Sequence, residues 1–506
     1  MNKIFDKITT YVRENKVQMI LSIVLFLFVI PFIISTRYTV FWADDLTDVR
    51  HVQEYGHNQL INAFLHTRSM YINWQGYYSS RFLEDFLNPA TNQNIKLLRI
   101  YSILNILFFL SSLYYVVKGV VLRFCDNKKY SISIYALIVI PLLTYGQYSE
   151  IWYWFTGWMT YSFPISCCFL GIGMIISDYS QIKWKSNVRF TISLVMIFIA
   201  CGGSLQVSAA TSYLLLIITI VEIYTLNRRN VKNTNASFSI KYFRRIKYNV
   251  KTVLIFTLSV LFSMFNAIAP GNFVRHGAFD ENTNVLVKAI YYSFNIQIDN
   301  IEKYYHSGES TFIIFSFVML AVGLFSNRLM NNEECSILII LSALIPVISV
   351  FPVVLGYNYD SIRTYYPNRV AFINDLLFIV AANIIFYCLG NVLKNYLKGN
   401  NIREILISMI LVCIFSILIS EKKITEYQPF LVADGVFSGQ LRESADGIVN
   451  ALTEVSESSD EDVFVYYPKE PLWWYAPFTL SDSPSDWINQ GIASYYGKNS
   501  VVFYRE

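Results

Sequence analysis

Taken as a pattern of apolar and polar positions, the chain shows about eleven apolar runs of bilayer-spanning length, separated by polar stretches of very unequal size. The runs fall near residues 17–36, 97–121, 132–147, 162–179, 188–203, 204–225, 251–269, 311–327, 336–356, 370–393 and 403–420. A helix needs roughly 20 apolar residues to cross a membrane, so the pattern predicts an all-α polytopic membrane protein with about eleven transmembrane helices. The first polar segment, 37–96, is far longer than a hairpin between two spans requires. Within it, "LTDVRHVQEYGHNQLINAFLHTRSM" (46–70) has mixed amphipathic character and predicts one helix lying along the membrane surface. A second such helix is expected over 285–305. After residue 420 the pattern changes. "DVFVYYP" and "SVVFYRE" read as strands, "ESADGIVNALTEVSES" and "SPSDWINQGIASYYG" as helices. The chain therefore divides into a transmembrane domain, 1–420, and a small α/β domain, 421–506, too short to be stable without leaning on the membrane loops.

Charge refines the picture. Only 15% of residues are Asp, Glu, Lys or Arg, against about 25% in soluble domains. Lys and Arg concentrate in alternate loops, including "RFCDNKKY", "KWKSNVR" and "NRRNVKNTNASFSIKYFRRIKYNVK". By the positive-inside rule these loops and the N-terminus face the cytoplasm, and an odd number of spans puts the C-terminal domain outside. The expected location is the cell (plasma) membrane, multi-pass, with the first span kept as an anchor because no small-residue cleavage site follows it. The net charge of +4 resides in inner loops, so nothing points to a nucleic-acid partner. All seven cysteines lie in spans or inner loops, which excludes a disulfide-stapled ectodomain. Zinc spacings, HExxH and a Walker loop are absent.

The chemistry-bearing side chains gather on the outer segments. All five histidines lie there, as do eight of the nine tryptophans, Trp184 being the exception. An aromatic belt alone would populate both interfaces, so the bias suggests either stacking on sugar rings or simple packing of the outer loops. Directly after the first span, "FWADDLTDV" presents Asp44 and Asp45, which suit either a catalytic base or the first turn of a helix. "NWQGYYSSRFLEDFLNP" offers Trp74 and Arg81. The guanidinium of Arg81 matches phosphate geometry, but it also sits one helical turn from Glu84 and Asp85. "YGQYSEIWYWFTGWMTYSFP" carries Glu150, Trp154 and Trp158, with Gly157 for a turn. "NAIAPGNFVRHG" carries Asn272, Arg275 and His276. "GYNYDSIRTYYPNRVAF" carries Arg363 and Arg369. Outer loops are normally poor in arginine; an anionic ligand such as a lipid phosphate, or ion pairs with nearby acids, would explain these.

The ordered set "FWADDLTDV", "NWQGYYSSRFLEDFLNP", "IWYWFTGWMTYSFP" and "IAPGNFVRHG", followed by an Arg-containing loop, resembles a bacterial family of polytopic membrane proteins of unknown function (the domain of unknown function 6056 group). That family looks like the GT-C glycosyltransferases and is similar to the phage-type glucosyltransferases; the likeness covers roughly residues 20–380. It implies a GT-C-like fold and transfer of a sugar from a polyprenyl-phosphate donor to a cell-surface glycan or lipid acceptor. It further implies Asp44 or Asp45 as catalytic base, with a divalent metal (Mg or Mn) at those acids if one is used. Arg81, Arg275, Arg363 and Arg369 would hold the donor phosphate; Trp74, Glu150, Trp154, Trp158, Asn272 and His276 would form the sugar and acceptor site. A polymerase or ligase of lipid-linked glycans, and a flippase of lipid-linked saccharides, are the alternatives; a flippase would need charged residues along the spans.

Overall fold

A computed structural model describes residues 15–124, 130–177, 183–232, 240–277, 285–305, 312–326, 330–356, 367–396, 407–413, 424–467, 472 and 474–504. The protein is mostly helical. Helix α1 (Lys16–Ser35) is followed by α2 (Ala43–Gln53), α3 (Gln59–Asn73) and α4 (Tyr78–Leu87), which are short and lie outside the spans. Next come α5 (Ile95–Phe124), α6 (Tyr130–Tyr145), α7 (Ser149–Trp152), α8 (Phe155–Thr160), α9 (Ser162–Ile176), α10 (Lys183–Cys201), α11 (Leu205–Lys232) and α12 (Ile240–Ala267). The series continues with α13 (Pro270–Gly277), α14 (Val285–Tyr305), α15 (Phe312–Phe325), α16 (Asn332–Ala343), α17 (Ile345–Gly356) and α18 (Asn368–Tyr396). The tail contains α19 (Gln428–Phe437), α20 (Gln440–Glu457), β1 (Asp462–Tyr466), α21 (Trp487–Tyr496) and β2 (Ser500–Tyr504).

Among the described residues, eight helical stretches are long and apolar enough to cross a membrane. Lys16–Tyr38 is the first and Asn368–Tyr396 the last. At about 1.5 Å per residue, α1's 20 residues reach about 30 Å, the thickness of a hydrocarbon core. Two of the expected spans form shorter apolar helices, Tyr130–Tyr145 and Phe312–Phe325. Of the expected span 403–420 only residues 407–413 are described, and they are helical. The chain is a multi-pass membrane protein.

The expected surface helix over 46–70 is two helices. Gly56 breaks it with φ +70°, a left-handed conformation that costs glycine little and other residues more. Asn58 then opens α3, its side-chain oxygen accepting the Ile61 N–H at 3.0 Å. The expected helix over 285–305 is present as α14.

The tail has the predicted strands and helices, with β1 and β2 paired in parallel from Asp462↔Ser500 to Tyr466↔Tyr504. Helix α20 buries Leu441, Ala445, Ile448, Leu452 and Val455 along one face. The unit packs on the segments that follow α1. Tyr475 donates its hydroxyl to the Tyr38 carbonyl, Tyr495 donates to the Ala90 carbonyl at 2.7 Å, and Phe478 meets Trp154 edge-on with ring centroids 4.9 Å apart. Replacing Tyr495 by Phe removes one of these ties and should cost about 1 kcal/mol. Thermal unfolding of the detergent-purified protein measures it, and an unchanged midpoint would show that this hydroxyl does not help hold the tail.

Candidate functional site

The site forms where α2, α3 and α4 meet the loops before α8, α13 and α18. Its centre is the start of α2. Here Asp45 and Asp44, adjacent in sequence, have unlike surroundings.

Asp45 is fully buried. One of its oxygens, Oδ2, accepts the Trp42 N–H at 3.1 Å, closing the first turn of α2 in the manner of a capping box. The other, Oδ1, accepts the Thr156 N–H at 3.0 Å and the Thr156 hydroxyl at 2.9 Å, tying α2 to α8. Burial pushes this carboxyl up, to about 7, and the hydrogen bonds from Trp42 and Thr156 oppose the rise. Both oxygens are filled by N–H and O–H donors, so Asp45 does not fit the role of metal ligand that the resemblance implied. It is equally ill placed to reach an acceptor.

Asp44 is half-buried, in contrast to Asp45. Burial pushes its carboxyl up, to about 7; the charge of Asp48 pushes the same way, and the guanidinium groups of Arg81, Arg369 and Arg275 pull it down. Three arginines from three distant segments thus act on one carboxyl. The structure brings together four residues singled out from the sequence: Asp44, Arg81, Arg275 and Arg369.

The arginines are held differently. Arg81 is buried, with Nη1 2.6 Å from Asp48 Oδ2, 3.3 Å from Glu84 and 3.7 Å from Asp85. The ion pairing with Glu84 and Asp85 is therefore realised, and Asp48, which the sequence reading passed over, is the nearest partner. Burial raises the Asp48 carboxyl, but Arg81 and hydrogen bonds from Glu84 and Arg81 outweigh it and leave Asp48 below the usual carboxylate range. Glu84 goes far the other way, pushed up by burial and by the charges of Asp48 and Asp85. Arg369 opens α18. It pairs with the buried Glu150, which also accepts its N–H, and its guanidinium lies over the rings of Trp154 at 5.2 Å and Tyr161 at 5.9 Å. Arg275 donates to Gln75 Oε1 at 2.8 Å and lies over the Trp74 ring at 5.2 Å. Arg363 lies outside the described residues, as does the side chain of His276.

The aromatic candidates divide as well. Trp74 is 41% exposed. Trp154 is buried between Arg369 and Phe478. Trp158 packs edge-on against Phe155 in a buried cluster with Leu98 and Met159, leaving no ring face for a ligand. Trp42, Trp152 and Trp474 are buried too, so most of the tryptophan excess at this end packs the loop layer. Asn272 clamps loops together: it accepts the Gly76 N–H at 3.0 Å and donates to the Asn266 carbonyl at 2.7 Å. Gly157, expected at a turn, lies inside α8, where a Cβ would come 2.1 Å from the Glu150 carbonyl oxygen. Its bare backbone lets α7 and α8 approach and so places Glu150 and Thr156.

Helix spacing was the signal for Asp48: Asp44, Asp48 and His51 stand at i, i+4 and i+7, one face of α2. Nothing in the sequence marked Gln75 or Thr156.

Fold and site together define a multi-pass helical membrane protein with a charged cluster built at one end of the bundle. No family model matches the chain, and no curated protein and no solved structure is significantly similar to it.

Proposed function

We propose that the protein is a membrane glycosyltransferase of the kind the GT-C resemblance implies, moving a sugar from a polyprenyl-phosphate donor to a cell-surface glycan or lipid acceptor at the outer face of the membrane. One observation carries this reading: Asp44 is partly exposed, its carboxyl is pushed up to about 7 by burial, and it lies in the field of Arg81, Arg275 and Arg369. A general base works best when its pKa is near the working pH. In the proposed reaction the acceptor hydroxyl loses its proton to Asp44 as its oxygen bonds to the anomeric carbon. The bond from that carbon to the phosphate oxygen breaks, and the polyprenyl phosphate leaves as an anion that needs no proton. Arg275 and Arg369, partly exposed and acting on Asp44 through their charges, are suited to the charge that develops on the phosphate. Arg81 acts at one remove by holding Asp48. Trp74 offers the accessible ring beside them.

The intramembrane acids also favour this reading over a flippase. Glu222 pairs with Arg123 at 2.8 Å and Asp375 with Lys303 at 3.1 Å, so both serve helix packing.

A clean deletion compared with a complemented strain tests the proposal. The deletion should remove one sugar substituent from a surface glycan or lipid. Unchanged composition would sink the reading, and accumulation of short lipid-linked glycan would replace it with a polymerase or ligase. Two narrower results are expected of the purified chain in proteoliposomes. Transfer should rise with pH through about 7, since Asp44 must lose its proton to act; burial, and then the charges of Asp48, Arg81, Arg369 and Arg275, set this value. A limb at the ordinary carboxylate value of about 4 would remove Asp44 from the role. Arg275→Ala should slow transfer roughly 10- to 100-fold, and an unaltered rate would place the phosphate elsewhere.

A further inference from the structure

One helical turn along α2 from Asp44, Asp48 belongs to a second constellation, whose two histidines the proposed glycosyl transfer does not use. Asp48 and His51, on α2, and His66, on α3, each offer one ligand atom, and these atoms all lie within 4.8 Å of one another. Asp48 and His66 are buried while His51 is exposed. We propose that Asp48, His51 and His66 form a binding site for a divalent transition metal, zinc being the best match, with its open coordination position on the exposed side.

The surroundings of the histidine argue for it. His66 Nδ1 is 2.9 Å from Oδ2 of the buried Asp85. A histidine that ligates metal almost always gives its other ring N–H to a carboxylate or carbonyl, which fixes the ring and its tautomer. With Nδ1 committed to Asp85, Nε2 is the nitrogen left to ligate. Asp48 is anchored in the same way, held 2.6 Å from Arg81 Nη1 and hydrogen-bonded by Glu84.

The donor set selects the class of ion. Magnesium and calcium take oxygen ligands, whereas two imidazoles and one carboxylate suit zinc and its transition-metal neighbours. Tetrahedral zinc at about 2.0 Å from each ligand sets donor atoms about 3.3 Å apart. Separations of up to 4.8 Å contract to this as His51, on the exposed face of α2, swings inward. Three protein ligands and one open position form the pattern of zinc sites that hold water or a substrate oxygen. This site lies about one helical turn along α2 from Asp44 and Asp45, where the resemblance implied a metal.

Zinc binding to the full-length chain in detergent, stripped first with a chelator, tests this without any glycan. Its outcome is therefore separate from that of the deletion experiment. Titration calorimetry with Zn2+ should show one ion per chain, and Co2+ should give visible d–d bands of a low-symmetry nitrogen and oxygen site. His51→Ala, at an exposed position that leaves the core untouched, should weaken binding about tenfold or more and abolish the Co2+ bands. His57→Ala, a neighbouring exposed histidine outside the cluster, should change neither. Absence of stoichiometric binding to the wild-type chain overturns the proposal. So does equal binding by His51→Ala.

Discussion

Asp44→Asn should abolish the sugar decoration that the protein supplies while leaving the protein in the membrane at normal level. The amide keeps the shape of the side chain and loses the ability to take a proton, so the expected fall in rate is roughly 10²- to 10⁴-fold. Glycan composition of a complemented deletion strain, with the protein level checked by blot, reads the result. Normal decoration by this variant would end the role of Asp44 as base. The same substitution should not cost stability. A carboxyl raised from 3.8 to about 7 by folding binds its proton more tightly in the folded state than in the unfolded one. Its contribution is fully present below about pH 4 and is lost as pH rises through 7. Above that pH the wild type holds an ionised Asp44 against its desolvation, and the neutral amide relieves it. At pH 8, Asp44→Asn should therefore melt no lower than wild type.

Asp45→Asn, one residue along, should do the opposite. Its carboxylate accepts from two backbone N–H groups and one hydroxyl. An amide has one accepting oxygen and one donating NH₂. Whichever way it turns, a donor faces either the Trp42 N–H or the Thr156 N–H inside a closed environment. An unsatisfied buried N–H costs roughly 1–3 kcal/mol, and the weakened cap of α2 adds about 1 kcal/mol. A loss of about 3 kcal/mol should appear as a clearly lower unfolding temperature in detergent and reduced protein in the membrane. Wild-type stability combined with lost decoration would reverse the two roles and make Asp45 the chemical group. The pair of variants thus separates chemistry from architecture at two adjacent positions.

How much of this was legible beforehand follows from the range of the interactions involved. Apolar runs are local, and the bilayer demands that each satisfy its own backbone, so most of the spans, the helix over 285–305 and the strands of the tail could be read directly from residue order, whereas of the eleven spans expected eight are long and apolar enough among the described residues. The surface helix over 46–70 was drawn as one because its apolar spacing continues across Gly56, whereas the break is a backbone matter decided at that single residue. The clustering of tryptophans at one end was also visible, but not its meaning. Whether a ring faces a ligand or a neighbour depends on what packs over it, and Phe155 covers Trp158 while Phe478 covers Trp154.

By itself, then, the sequence determined the class of the protein, the position of most helices and the short list that contains Asp44, Arg275 and Arg369. Those properties depend on composition and on neighbours within a helical turn or two. Only the tertiary structure decided which adjacent acid is open and which is tied into the framework. It also decided that Asp48 closes on Arg81, and that His66 meets His51 and Asp48. Each of these depends on groups 15 to more than 100 positions apart whose approach is set by the docking of α2, α3, α4 and α8. A carboxylate's character comes from its burial and its partners, and neither is written at its own position.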